Sequence, residues 1–266
     1  MQTTLFEPGE PTGRHRLDSN TVARLDEVTG FADLVEAFAA ARAAHPDARI
    51  VCTLDDLDQC VYTSMHAALR LDDDANWDDG PYDYHDPAAV HRVENARVAR
   101  IAALLDDPAR QVDWANLADT RAATEDDLTA LVAANREPDH ALDDVVLIQR
   151  VPVDRDDFAV AGIPNGYFAD DWDIFANHAV IRRMAGHGYQ HVAVGASLLG
   201  FVRSTPPSVE QAAAVVTDLI HLYGTPESIA WHELALLLPT RRLLLLGYTE
   251  NFADAIDEIP EDPPTE

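Results

Sequence analysis

Apolar residues recur at helical spacing through most of the first half of the chain. In the second half they fall mostly into short runs broken by turn residues. In FADLVEAFAAARAAHP, Phe31, Leu34, Val35 and Phe38 share one face of a predicted amphipathic helix. The stretch ARIVCTL, Ala48 to Leu54, predicts a short buried strand. DDLDQCVYTSMHAAL then predicts a helix that turns Leu57, Cys60, Val61 and Met65 inward. An acid-dense loop, RLDDDANWDDGPYDYHDP, ends at Asp86 and Pro87, a capping acid followed by proline in the first turn of the next helix. That helix keeps Val90, Val93, Ile101, Leu104 and Leu105 on one side with Val98 at the edge, and Arg97 interrupts the stripe. Thr124 with Asp127 forms a capping-box pattern opening a helix through Leu128, Leu131 and Val132.

From Asp143 the texture changes. DDVVLIQRVPV predicts a strand, followed by a loop with a turn at Pro164, Asn165 and Gly166. A helix from about Trp172 to Ala185 is stopped by Gly186 and Gly188, and YQHVAV and LLGFVRS form a hairpin. Ser208 and Gln211 make a second capping box. The helix it opens has Val209, Ala212, Ala213, Val216, Leu219, Ile220 and Tyr223 on one face and stops at Gly224. Thr225 and Pro226 restart a helix, and RRLLLLGYTE is a closing strand. The expected fold class is α+β. Residues 1–20 form a flexible arm, 21–140 a mainly helical lobe with one strand, and 141–252 an α+β lobe. In that second lobe helices pack on one face of an antiparallel or mixed sheet. Residues 253–266 form an acidic, proline-rich disordered tail.

Charge changes this picture most. The chain of 266 residues carries 47 acidic side chains against 19 basic ones, a formal net charge of −28, and every basic residue is arginine. Such a surface repels phosphate backbones and anionic lipid, which argues against nucleic-acid or membrane partners. Without lysine there is no amine for a Schiff base or a phosphate-loop mechanism. The acidity fits a salt-adapted proteome or a GC-rich genome; the first is favoured because arginine comes nowhere near balancing the acids. No apolar run approaches the roughly 18 residues a membrane span needs. The opening MQTTLFEPGEPTGRHR lacks the apolar core of a secretory leader, so the expected compartment is the cytoplasm. Cys52 and Cys60 lack a CxxC pairing and read as reduced core thiols.

One resemblance is carried by VPV at Val151, IPNGYF, Trp172 and GHGYQHVAVGASLLGFVRSTPPSVEQAA. Together these resemble an uncharacterised bacterial domain-of-unknown-function family, over roughly residues 145–250. The resemblance implies a fold segment (a tryptophan-bearing helix, a hairpin, a Pro-Pro turn and an alanine-rich helix) and no chemistry. GTPES and LLLLGY stand where that family tends to carry Cys-Pro-Asp and a tryptophan-rich strand.

The chemistry-bearing residues concentrate around ADDWDIFANHAVIRR. Asp170, Asp171, Asp173 and His178 are the set a metal-assisted hydrolase would use, and this is the alternative functional reading. Each also has a plain structural role: acids at a helix start cap free N–H groups, worth about 0.5–2 kcal/mol, and His178 falls on or beside the apolar face. His187 and His191 have HxxxH spacing, but Gly188 and the following strand disfavour a shared ligand. The acidic loop does not fit a calcium-binding helix-loop-helix pattern, and Ser197 lacks a nucleophile elbow. No cofactor is implied and no metal site is assigned. The leading reading is a non-enzymatic binding protein that recognises a protein partner through Asn165, Tyr167, Phe168 and Trp172. The sequence offers no coherent catalytic set, and aromatic bodies with polar tips are typical of recognition surfaces.

Overall fold

In a computed structural model, residues 1–10, 16–74, 77–117, 123–250 and 252–257 are described. Among these residues seven strands form one mixed sheet: β1 (Gln2–Leu5), β2 (Thr21–Asp26), β3 (Arg49–Thr53), β4 (Val145–Val151), β5 (Gln190–Val194), β6 (Leu198–Val202) and β7 (Leu243–Gly247). The spatial order is β1-β2-β4-β3-β5-β6-β7; β3 and β5 run parallel and every other neighbouring pair is antiparallel. Among the described residues eight α-helices accompany it: α1 (Phe31–Ala44), α2 (Leu57–Asp74), α3 (Pro87–Asp106), α4 (Glu125–Arg136), α5 (Ile174–Gly186), α6 (Val209–Tyr223), α7 (Ala230–Leu237) and α8 (Phe252–Asp257). This is an α+β fold. Among the described residues no helix is long and apolar enough to cross a membrane.

Consecutive residues, not alternate ones, are buried along most of β3, β5, β6 and β7. Side chains alternate between the faces of a strand, so the cover reaches both faces of this part of the sheet. The boundary drawn near residue 140 does not divide the sheet, because β4 lies between β2 and β3. Among the described residues the segment read as mainly helical supplies two strands, β2 and β3, not one. The apolar signal of β2 is only Val22, Ala23 and Leu25, and its partners, β1 and β4, cannot be read from local pattern.

The ends of the chain also differ from expectation. Gln2–Leu5, read as part of a flexible arm, pairs with β2 although all four residues are exposed, so backbone hydrogen bonds and not burial define this strand. Residues 252–257 are helical, with Phe252 buried at 2% exposure; the rest of the expected tail, and residues 11–15 of the arm, lie outside the described residues.

Local helix signals hold well. Asp86 accepts from the N–H of Ala88, and the Thr124–Asp127 and Ser208–Gln211 capping boxes are both closed. The restart after Gly224 comes later than Thr225. Thr225 takes a left-handed conformation and gives its hydroxyl to the Ala123 carbonyl, and α7 begins at Ala230. Helix α2 is rotated from the apolar reading. Met65 is 53% exposed, and Cys60, Thr63, Ser64, Ala67 and Leu71 face inward. Two acids of that stretch are paired with arginines: Asp72, inside α2, meets Arg97 and Arg100 of α3, and Asp79 meets Arg97. Those ion pairs explain why an arginine interrupts the stripe of α3.

Candidate functional site

The loop from Asn165 to Asp173 runs between the end of β4 and the start of α5, and its side chains part company. Asn165, expected to meet a partner, is 1% exposed. Its Nδ2 donates to the Gly195 carbonyl at 3.0 Å and its Oδ1 accepts from the Thr63 hydroxyl. It is one of three side chains holding the β5–β6 turn. Tyr248 donates its hydroxyl to the Gly195 and Ala196 carbonyls at 2.8 Å each. Asp55, just beyond β3, accepts from the N–H groups of Ser197 at 2.8 Å and Leu198 at 3.2 Å. Burial nevertheless pushes the Asp55 carboxyl up to about 7, outweighing those donors. A side chain at Gly195 would collide with the Asp55 carboxylate, so glycine permits this close approach.

Trp172 is also buried, at 4% exposure, against the ring of Tyr223 at 5.3 Å. Its bulk serves the core, which is why aromatic character alone misplaced it on the surface. Tyr167 is half-buried, its ring 5.1 Å from that of His66 and 5.4 Å from that of Phe168, and Arg70 donates to its carbonyl. Phe168 is 48% exposed. Of the four expected recognition residues, Phe168 alone presents a largely open ring. Gly166, at φ +83°, turns the loop tightly, and a Cβ there would strike the Trp172 carbonyl.

Asp170, Asp171 and Asp173 line one cleft of about 640 Å³ together with Phe168, and Trp172 contributes to its wall. Asp127 and Glu250 join from α4 and the segment after β7, and Arg70 supplies the guanidinium. Three of these carboxylates work locally. Asp173 Oδ1 caps α5, accepting from Phe175 and Ala176; Asp171 accepts from the Phe168 N–H; Asp127 closes its capping box and accepts from Ala253. Asp170 and Glu250 are exposed at the rim.

His178 belongs elsewhere. It is 3% exposed, with Nε2 2.9 Å from Asp157 and its ring 5.7 Å from that of Phe158. Burial pushes the Asp157 carboxyl up, but hydrogen bonds from His178 and Arg155 outweigh it and hold the group below the usual carboxylate range. The three aspartates and His178 therefore do not meet at one point. Among the described residues no group of three or more His, Cys, Asp or Glu is arranged to hold a metal ion. His187 bonds to Asp218 and His191 is buried within β5, so the HxxxH pair is also split.

Sequence reasoning missed Arg70, Asp127 and Glu250 as cleft residues. Asp127 was legible only as a cap. The three are separated by tens of residues and meet only through the tertiary fold. Comparisons with protein-family models, with curated proteins and with solved structures return no match to this chain.

Proposed function

We propose that this is a binding protein whose cleft receives a basic segment of a partner protein. What carries the reading is the composition of that one cleft: among the described residues, Asp127, Asp170, Asp171, Asp173 and Glu250 stand against one guanidinium, Arg70, with the exposed Phe168 ring at the lip. Clustered carboxylates draw a cationic segment in, and an aromatic ring at the lip adds apolar contact and a face for an arginine to stack on. The backbone N–H groups held by Asp127, Asp171 and Asp173 fix those acids, so binding requires little rearrangement. On this reading the protein acts in the cytoplasm, and its remaining acidity serves solubility at high salt.

The test is titration of a labelled arginine-rich peptide against the wild-type chain and two variants at fixed, near-physiological salt. Asp170→Asn with Glu250→Gln, and separately Phe168→Ala, should each weaken binding about tenfold or more with unchanged melting temperature. The control is Asp58→Asn with Asp73→Asn, exposed acids of α2 outside the cleft lining. An equal loss in the control would mean diffuse attraction to an acidic surface and would remove the reading.

A further inference from the structure

A second concavity, of about 890 Å³, lies between α1 and the start of β7. Its character is opposite to that of the acidic cleft. Val35 from α1, Val202 at the end of β6 and Leu243 at the start of β7 give it an apolar floor, and Glu36, Glu137 and Asp139 also line it. Along its rim stand Arg136, Arg241 and Arg242.

The state of those arginines is informative. This chain has 47 acidic residues for 19 arginines, so an arginine without a carboxylate is not short of candidates. Arg136 is paired, its Nη2 2.8 Å from Glu233. Among the described residues Arg241 and Arg242 have no carboxylate partner; each is tethered to a backbone carbonyl. Arg241 donates to the Arg136 carbonyl at 2.8 Å, and Arg242 to the Arg203 carbonyl at 3.0 Å. A guanidinium has five N–H donors, so one tether per arginine fixes its position and leaves a fork for a carboxylate. Of the acids that line the groove, Asp139 accepts from the Phe31 N–H at 2.7 Å, Glu137 lies 3.3 Å from His140, and Glu36 is exposed on α1.

We infer that this groove docks an acidic segment of a second protein, placing apolar side chains on Val35, Val202 and Leu243 and carboxylates on Arg241 and Arg242. The surface is separate from the acidic cleft, so the two readings stand or fall independently. Charge sets the occupant. A net charge of −28 repels acidic partners from the surface at large, and two guanidiniums without a carboxylate partner among the described residues, beside an apolar floor, give such a segment a place to land.

The experiment is fluorescence anisotropy with three short labelled peptides: alternating glutamate and leucine, glutamate alone, and alternating lysine and leucine. The glutamate–leucine peptide should bind the wild-type chain, with glutamate alone at least about tenfold weaker. Arg241→Glu with Arg242→Glu should lose about tenfold or more, with the melting temperature as the check on folding. Val35→Asp should lose binding while both arginines remain. Overturning results are no binding of the glutamate–leucine peptide, equal binding of the lysine–leucine peptide, or binding unchanged by the charge reversal. Sedimentation of the wild-type chain supplies one more. Self-association abolished by the same charge reversal would assign the groove to a second copy of this chain and overturn the inference.

Discussion

The side-chain amide of Asn135 pairs with the main chain of Leu245 as a strand would. Its Nδ2 donates to the Leu245 carbonyl at 2.9 Å and its Oδ1 accepts from the Leu245 N–H at 2.9 Å. β7 is the last strand of the sheet on that side, and Asn135 of α4 is 3% exposed. One residue of a helix thus satisfies the Leu245 N–H and carbonyl that a terminal strand otherwise leaves for another chain to join. Asn135→Ala strands a buried N–H and a buried carbonyl and should cost about 2–4 kcal/mol, read from the urea midpoint. Asn135→Asp keeps the acceptor and should fall between wild type and alanine near pH 4. A loss below about 0.5 kcal/mol for alanine would show that the pairing contributes nothing.

Gly195 and Asp55 make a second such relationship, one of space. A Cβ on residue 195 would overlap the Asp55 carboxylate and force the β5–β6 turn away from the end of β3. Gly195→Ala should therefore destabilise by about 3 kcal/mol or more. Asp55→Ala removes the carboxylate that accepts from two backbone N–H groups and should also destabilise. The double variant should be markedly less unstable than the sum of the two, because the second change removes the obstacle met by the first. Simple additivity would show that the turn moves aside without strain.

His191 and Asp55 give stability two opposed slopes with pH. Burial in β5 lowers His191 from its ordinary 6.5 to about 4, so in that window the unfolded chain binds the proton and the folded one does not. Stability from His191 is complete above 6.5 and should fall, by up to roughly 3 kcal/mol, as the pH drops toward 4. Asp55, raised from 3.8 to about 7, acts in reverse: its contribution is complete below 3.8 and is lost as the pH rises through 7. Chemical denaturation across pH 4–8 should show a shallower acid-side loss for His191→Phe, and for Asp55→Asn a loss of the decline between about pH 4 and pH 7. Parallel curves for wild type and both variants would refute these assignments.

The caps were the most legible features, because a cap is local chemistry. Asp86 before Pro87, Thr124 with Asp127, Ser208 with Gln211 and Asp173 before Ile174 each need only residues within a single turn. Helix faces were harder. α2 exposes Met65 and buries Thr63, because the surroundings of Thr63 include Asn165, a residue 102 positions away. The same distance hid the role of Asn165 itself. A carboxamide after a proline in a turn reads as surface until Gly195 and Thr63 are seen to surround it. The acids of the cleft were found because they are neighbours in sequence, whereas Arg70 and Glu250 arrive from elements that no local pattern connects.

The insertion of β4 between β2 and β3 also constrains synthesis and dissection. Until residue 151 has left the ribosome, β2 and β3 have no common neighbour, so the first half of the sheet must wait, half-assembled, for its keystone. A chain severed near residue 140 would yield two pieces that each lack a neighbouring strand the other holds. Such fragments would recover the native sheet only by reassociating, as a complementing pair and not as two autonomous modules.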